Sequence, residues 1–397
     1  MSWSCTSDLD RFAAAAGGYL RARTAENTLL LSAARAVRDQ QPVRAAHAPR
    51  TGESGQPDTA PAAGPLFGWW EPPDGGAPRG AFLHDPAVPL LISGRVPEMA
   101  ATLAATLARM GRQVCGVDAP TEAADAFAAA WSQRAGTVAR VHQHCRVYRL
   151  TGPGAARITP PLGVTAALTA SARAAGPPYP PVTAAWPPSE APGPAGRLRV
   201  ATAADHPLLA NWLVAFAAET AQRLSSPLDL AADLTGYGGA VFWEVPDRQP
   251  AALATLTRPI AGSVRIGIVY SPPERRRSGY GTALVHAVSR AVLAVPVPGD
   301  TGLADTGLAD TGLADTGLAG GRGLLAGASG RDRVDEVVII TDRNRPDRWG
   351  GRLGYELVGE RALLRFGPAT GALPRIPAGP SPRLPTGPLP RPPRPGR

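Results

Sequence analysis

Lysine is missing from this chain: all 41 basic residues among its 397 are arginine. Against 32 acidic residues they leave a formal net charge of +9. An excess of that size can mark a nucleic-acid or membrane partner. Missing lysine beside abundant Ala, Gly, Pro and Arg is also what GC-rich coding produces, and that reading carries more weight. Cysteine is scarce: Cys5, Cys115 and Cys145 are too few and too scattered for a disulfide framework, and Cys5 and Cys115 read as inert thiols. No apolar run approaches the ~20 residues that span a bilayer, so no membrane partner is expected. The first eleven residues carry Asp8 and Asp10 and lack a basic-then-apolar export pattern. A cytoplasmic protein is the expectation.

Glycine and proline are what the chain has in excess, 45 and 44 residues respectively. A hydrophobic share of 44% and a mean hydropathy of −0.09 nevertheless argue against a wholly disordered chain. The excess is local. Residues 51–64 and 152–196 are short of bulky apolar side chains, and the second stretch carries Pro160-Pro161, Pro177-Pro178, Pro180-Pro181 and Pro187-Pro188. It reads as an extended linker over 151–196. From Asp300 to Ala319 the pentapeptide Asp-Thr-Gly-Leu-Ala occurs four times in tandem. With one Leu per copy it reads as a low-complexity insertion at 299–330 rather than a solenoid. Residues 367–397 hold 11 prolines, five arginines and no acid, a composition that reads as a disordered tail. The tail lacks the interleaved aromatics that nucleic-acid binding favours, so nucleic acid is disfavoured as a partner. Two units remain, 1–150 and 197–366.

Periodicity assigns helices at 9–22, 25–39, 97–110 and 121–134 in the first unit, with strands at 65–71, 79–84, 88–93, 113–117 and 137–150. Met99, Leu103, Leu107 and Met110 fall on one helical face, behind Pro97 in a first helical position. In the second unit, strands are expected at 197–201, 239–245, 251–258, 263–270, 336–341, 355–359 and 361–366. Helices are expected at 205–222, with Asp205 as its cap, near 227–236, at 279–295 and near 346–352. Antiparallel strands followed by a β-α-β crossover give an α+β (α/β-type) class. The expected architecture is a mixed, mostly antiparallel sheet flanked by helices, with two such units.

Chemistry concentrates in residues 263–295. A β-branched strand (Val264, Ile266, Ile268, Val269) runs through Pro272-Pro273 into Arg276-Arg277-Ser278-Gly279-Tyr280-Gly281 and then an amphipathic helix. Two glycines at a strand-to-helix turn let backbone approach a ligand closely. Helix N-terminal amides form an anion site, and Arg276 and Arg277 add charge beside it; the ligand they suit is a pyrophosphate. No Gly-Lys-Ser/Thr follows, which excludes a Walker loop. Val285 and His286 stand where a dinucleotide fingerprint would place its third glycine.

Arg276-x-x-Gly279-x-Gly281 after the Val269-Tyr270 strand end resembles motif A of the GNAT superfamily of acetyl-CoA-dependent N-acetyltransferases. Residues 336–366, EVVIITDRNRPDRWGGRLGYELVGERALLRF, are similar to the family's next strand and helix and its closing strand pair. The resemblance covers 197–366 with the insertion set aside. It implies acetyl-CoA as co-substrate and an amine-bearing small molecule or peptide as acceptor. Backbone of Ile268, Val269 and Tyr270 would pair with the pantetheine arm. The amides of Arg276, Arg277, Ser278, Gly279, Tyr280, Gly281 and Thr282 would hold the pyrophosphate, and Asn344 would contact the cofactor arm. Many relatives carry a Tyr four residues before the Gly354-Tyr355 pair as general acid. Here that position is Gly350, after Trp349, and neither Tyr355 nor Tyr270 matches the role. Glu244, Asp342 and Glu219 are candidate bases, none of them assigned.

No metal site is expected. His142 and His144 share a strand face while Cys145 faces away, with no second ligand cluster at zinc spacing. His286 and Trp69-Trp70 read as packing residues. The order of elements in 1–150 repeats that of 197–366, yet Ser93-Gly94-Arg95-Val96-Pro97 stands where the pyrophosphate loop belongs. The first unit resembles a degenerate second GNAT copy, with an unrelated accessory α+β domain as the alternative. An acyl-CoA sensor without turnover is the alternative for the whole chain.

Overall fold

The computed structural model describes residues 2–46, 64–72, 76–152, 194–220, 224, 226–293, 334–344 and 353–368. The linker, the pentapeptide insertion, the helix expected near 346–352 with Trp349 and Gly350, and the tail beyond Pro368 lie outside these residues. The chain opens with a strand, β1 (Ser2–Thr6), which periodicity does not predict. Its Trp3 ring packs at 5.3 Å from Trp70 and 5.2 Å from Phe82. Next come α1 (Leu9–Arg21) and α2 (Thr24–Ala46). Asp8 caps α1 by accepting from the amides of Asp10 and Arg11. The first half continues with β2 (Leu66–Glu71), β3 (Gly80–His84), β4 (Leu90–Ser93), α3 (Pro97–Arg109), β5 (Gly116–Pro120), α4 (Thr121–Ala135) and β6 (Thr137–Thr151).

The second half contains β7 (Arg197–Val200), α5 (His206–Thr220), α6 (Pro227–Gly236), β8 (Ala240–Glu244), β9 (Pro250–Leu256), β10 (Ser263–Tyr270), α7 (Tyr280–Leu293), β11 (Glu336–Asp342) and β12 (Glu356–Pro368). Three local expectations shift. β5 begins three residues later than periodicity suggests, because its partners are fixed by β12, Gly116 against Arg365 through Pro120 against Arg361. The two closing strands are one, bent by bulges against β6, and it takes in Gly367 and Pro368 opposite Val138 and Thr137. The cap before α5 is Thr202: Asp205 accepts from the Thr202 amide at 2.8 Å in a capping box that opens a 3-10 turn at Ala203–Asp205.

All twelve strands form one sheet in the order β1-β2-β3-β4-β5-β12-β6-β11-β10-β9-β8-β7. β4 with β5 and β10 with β11 are parallel; the other pairs are antiparallel. The order reads alike from either end, with one parallel pair in each half. The two long strands at the centre are exchanged: β6 lies beside β11, and β12 beside β5. Helices cover both faces. Phe12, Leu20 and Leu31 of α1 and α2 pack on Phe67 and Leu83, and Ile260 of the second half joins that cluster. Met99, Leu103 and Leu107 of α3 lie on the other face with Phe127 and Trp131 of α4, whereas Met110 falls past the helix end and is exposed. Leu284, Val288 and Val292 of α7 pack on Ile266 and Ile339. Among the described residues, no helix is long and apolar enough to cross a membrane.

Candidate functional site

The site begins where two parallel strands part. β10 pairs with β11 from Ser263 opposite Glu336 to Ile266 opposite Ile339, and the pairing stops there. β10 then stays with β9, Val269 opposite Ala254 and Tyr270 opposite Leu253, while β11 stays with β6 as far as Asp342 opposite Cys145. A bulge between Ile266 and Val269 turns β10 away. Thr255 fixes it, its Oγ1 accepting the Ile268 amide at 2.8 Å. Ile268, Val269 and Tyr270 therefore line an edge with no strand neighbour toward β11 among the described residues. Asn344 stands at the same end of the sheet, its amide donating to the Asp342 carboxylate at 2.8 Å.

Residues 271–279 connect this edge to α7. A 3-10 turn at Pro273–Arg275 is followed by Arg277 at φ +63° and Gly279 at φ +83°. Gly279 supplies a left-handed conformation at little steric cost; Arg277 adopts one without that freedom. The Ala283 amide is the first in α7 to find its acceptor, Gly279 O at 3.0 Å. The amides of Tyr280, Gly281 and Thr282 in the turn before it are the free donors of a helix start. Arg276, Arg277, Ser278 and Gly279 are exposed. A Cβ at Gly279 would meet only Pro194 Cδ at 3.4 Å, and one at Gly281 would meet Val269 Cγ1 at 3.6 Å. The backbone here is open to close approach, which suits a bound pyrophosphate.

The Arg276 side chain turns toward α5. Its guanidinium donates to both carboxylate oxygens of Glu219, at 2.6 and 2.7 Å, and to Ser271 O at 2.9 Å. It lies 5.7 Å from the Tyr270 ring centroid, and Trp212 of α5 packs on the same ring at 5.8 Å. Burial, with Glu219 nearby, raises the Tyr270 phenol above its ordinary pKa. This pair joins residues 57 apart in sequence, and no local pattern announces it.

The other acid–base candidates are engaged elsewhere. Glu244 is 4% exposed, hydrogen-bonded by Arg197 Nε at 2.6 Å and ion-paired with Arg199 Nε at 2.9 Å. Tyr355 is buried, its hydroxyl 2.6 Å from Ser289 Oγ of α7, and burial pushes its phenol far up. Burial likewise pushes Cys5 and Cys115 up and Cys145 to about 12, and it pulls His286 below the ordinary imidazole value. Trp69 and Trp70 are buried in the sheet.

The corresponding place in the first half is closed. Only residues 94–96 separate β4 from α3, too few to wrap a pyrophosphate. Ser93 Oγ is bonded to Asn27 at 2.5 Å and to the Tyr19 hydroxyl at 3.2 Å. Arg95 donates to Val358 O of β12 at 3.0 Å and pairs with Glu26 at 3.6 Å. Met99 is fully buried, and a Cβ at Gly80 would collide with its sulfur.

No protein-family model matches the sequence, and no curated protein is similar to it. The chain is similar in structure to a GCN5-related N-acetyltransferase from Sphaerobacter thermophilus, at 14% identity and a TM-score of 0.45, covering 91% of this chain and 95% of that one. It is similar to a GCN5-related N-acetyltransferase from Kribbella flavida, at 16% identity and a TM-score of 0.38, covering 74% and 88%. A third similar structure is a tandem GNAT protein from the clavulanic acid biosynthesis pathway, at 13% identity and a TM-score of 0.36, covering 84% and 94%.

Proposed function

We propose that 197–366 is a GNAT-type N-acetyltransferase domain that moves acetyl from acetyl-CoA to a primary amine of a small molecule or peptide, by direct attack in a ternary complex. On this reading 1–150 is a copy that has lost the cofactor loop and keeps a structural role. The observation that carries it is the parting of β10 from β11 directly before an exposed loop and the open N-terminus of α7.

Acetyl-CoA, when bound, supplies an activated acyl thioester. The residues' own tasks follow from their backbone. The amides from Arg276 to Thr282 would hold the pyrophosphate, and the free edge of β10 would pair with the pantetheine arm. Ile268 would not offer its amide there, since that amide is given to Thr255. The Val269 or Tyr270 amide is a fixed donor for negative charge developing at the strand end. Asn344 would border the arm from β11. The attacking amine must be neutral, and no residue is assigned to remove its proton.

Calorimetry with acetyl-CoA tests the reading: binding at sub-millimolar cofactor is expected, and its absence would sink it. Release of free thiol across a panel of amines then tests turnover. The commitment of Glu244 to two arginines and of Tyr355 to Ser289 favours a second reading, an acyl-CoA-binding sensor without turnover. One amine that releases thiol ends that alternative.

A further inference from the structure

We propose that Glu219 and the Tyr270 ring form a subsite for a guanidinium or ammonium group on the acceptor, filled in this structure by the chain's own Arg276. The inference deepens the acetyltransferase reading and rests on it for the word acceptor. Its basis is a cation already seated: Arg276 Nη2 donates to both carboxylate oxygens of Glu219, at 2.6 and 2.7 Å, and the guanidinium lies 5.7 Å from the Tyr270 centroid. A planar cation between a carboxylate and an aromatic face is held by both, and the same pair would hold a guanidinium from a ligand. Trp212 packs on the same ring at 5.8 Å. The subsite lies at the end of β10, beside the edge assigned to the pantetheine arm.

The pair is built to exchange. Both side chains are about two-fifths exposed, 40% for Arg276 and 42% for Glu219. An ion pair so exposed holds its partner by a factor of roughly five or less. Arg276 also belongs to the loop whose amides suit a pyrophosphate, so a bound cofactor competes with Glu219 for it. As the phosphates draw the guanidinium over, Glu219 is uncovered and the acceptor's cation takes its place. The amine that attacks must be neutral, so the recognised cation is a second group on the same molecule. The acceptor class is thus a primary amine carrying a guanidinium or a further ammonium.

The test uses the full chain, with circular dichroism to confirm that each variant is folded. Arg276→Ala vacates the subsite. 4-Aminobutylguanidine should bind this variant about two- to fivefold more tightly than it binds the same variant with Glu219→Gln added. Pentan-1-ol, which carries no cation, should not distinguish the two. Equal binding of the guanidine to both variants would overturn the proposal. In the second arm Glu219→Gln alone frees Arg276, and acetyl-CoA should bind about two- to fivefold more tightly than to wild type. Unchanged or weaker cofactor binding would also overturn it. A chain that binds no acetyl-CoA at all refutes the acetyltransferase reading, while the guanidine comparison still decides the subsite.

Discussion

Glu244, a carboxylate on a strand, is a candidate base from the sequence, and the fold gives it a different task. Its carboxylate is hydrogen-bonded by Arg197 and ion-paired with Arg199, and Arg199 in turn makes a bidentate bond to Asp205, 2.8 and 2.9 Å. Glu244→Ala should cost about 2 kcal/mol of stability by urea denaturation, since it leaves two guanidinium groups short of their acceptor. Acetyl-CoA affinity should not change. Acid sensitivity follows from a different pair of residues. Burial lowers the imidazoles of His84 and His286 below their ordinary 6.5. The unfolded chain therefore takes up protons first as the pH falls. Stability should fall through pH 6.5 and level off below the two folded values, and denaturation midpoints from pH 7.5 to 5 check this. A rise over that range would contradict the assignment.

At the scale of elements, two left-handed glycines separate conformation from function. Gly279, φ +83°, belongs to the cofactor loop; Gly111, φ +66°, lies in a turn after α3 with nothing within 4 Å of a Cβ. Valine at either position should cost about 1–2 kcal/mol for the left-handed backbone. Gly279→Val alone should weaken acetyl-CoA binding, by tenfold or more in calorimetry. Helices and the strand–loop–helix of 263–293 were legible because their signals are local: the spacing of Met99, Leu103 and Leu107, or glycines set between a β-branched strand and an apolar helix face. β1 was not, since Ser2 to Thr6 becomes a strand only by pairing with β2 and seating Trp3 against Trp70 and Phe82. Thr255 was illegible for the same reason, as its task depends on a bulge thirteen residues away.

For the molecule as a whole, no local pattern could reveal that β6 and β12 change sides. Each half of the sheet is completed by a strand of the other, with Arg361 of β12 bonded to Asp118 of β5 at 2.8 Å and buried there. If a protease site is engineered into 153–193 and cut, the two pieces should remain together in size-exclusion chromatography and unfold in one transition. Pieces that separate without denaturant would show that the exchange does not hold. The arrangement also sets a timetable for biosynthesis. β5 ends at Pro120 and its partner β12 begins at Glu356. More than two hundred residues intervene, roughly 10 to 50 s of translation at ribosomal rates. Throughout that wait β5 presents an open edge, the kind of surface on which nascent chains associate wrongly. A ribosome that stops short of β12 would thus leave a sticky product rather than a half-size domain, and the last described strand decides whether the first half can finish folding.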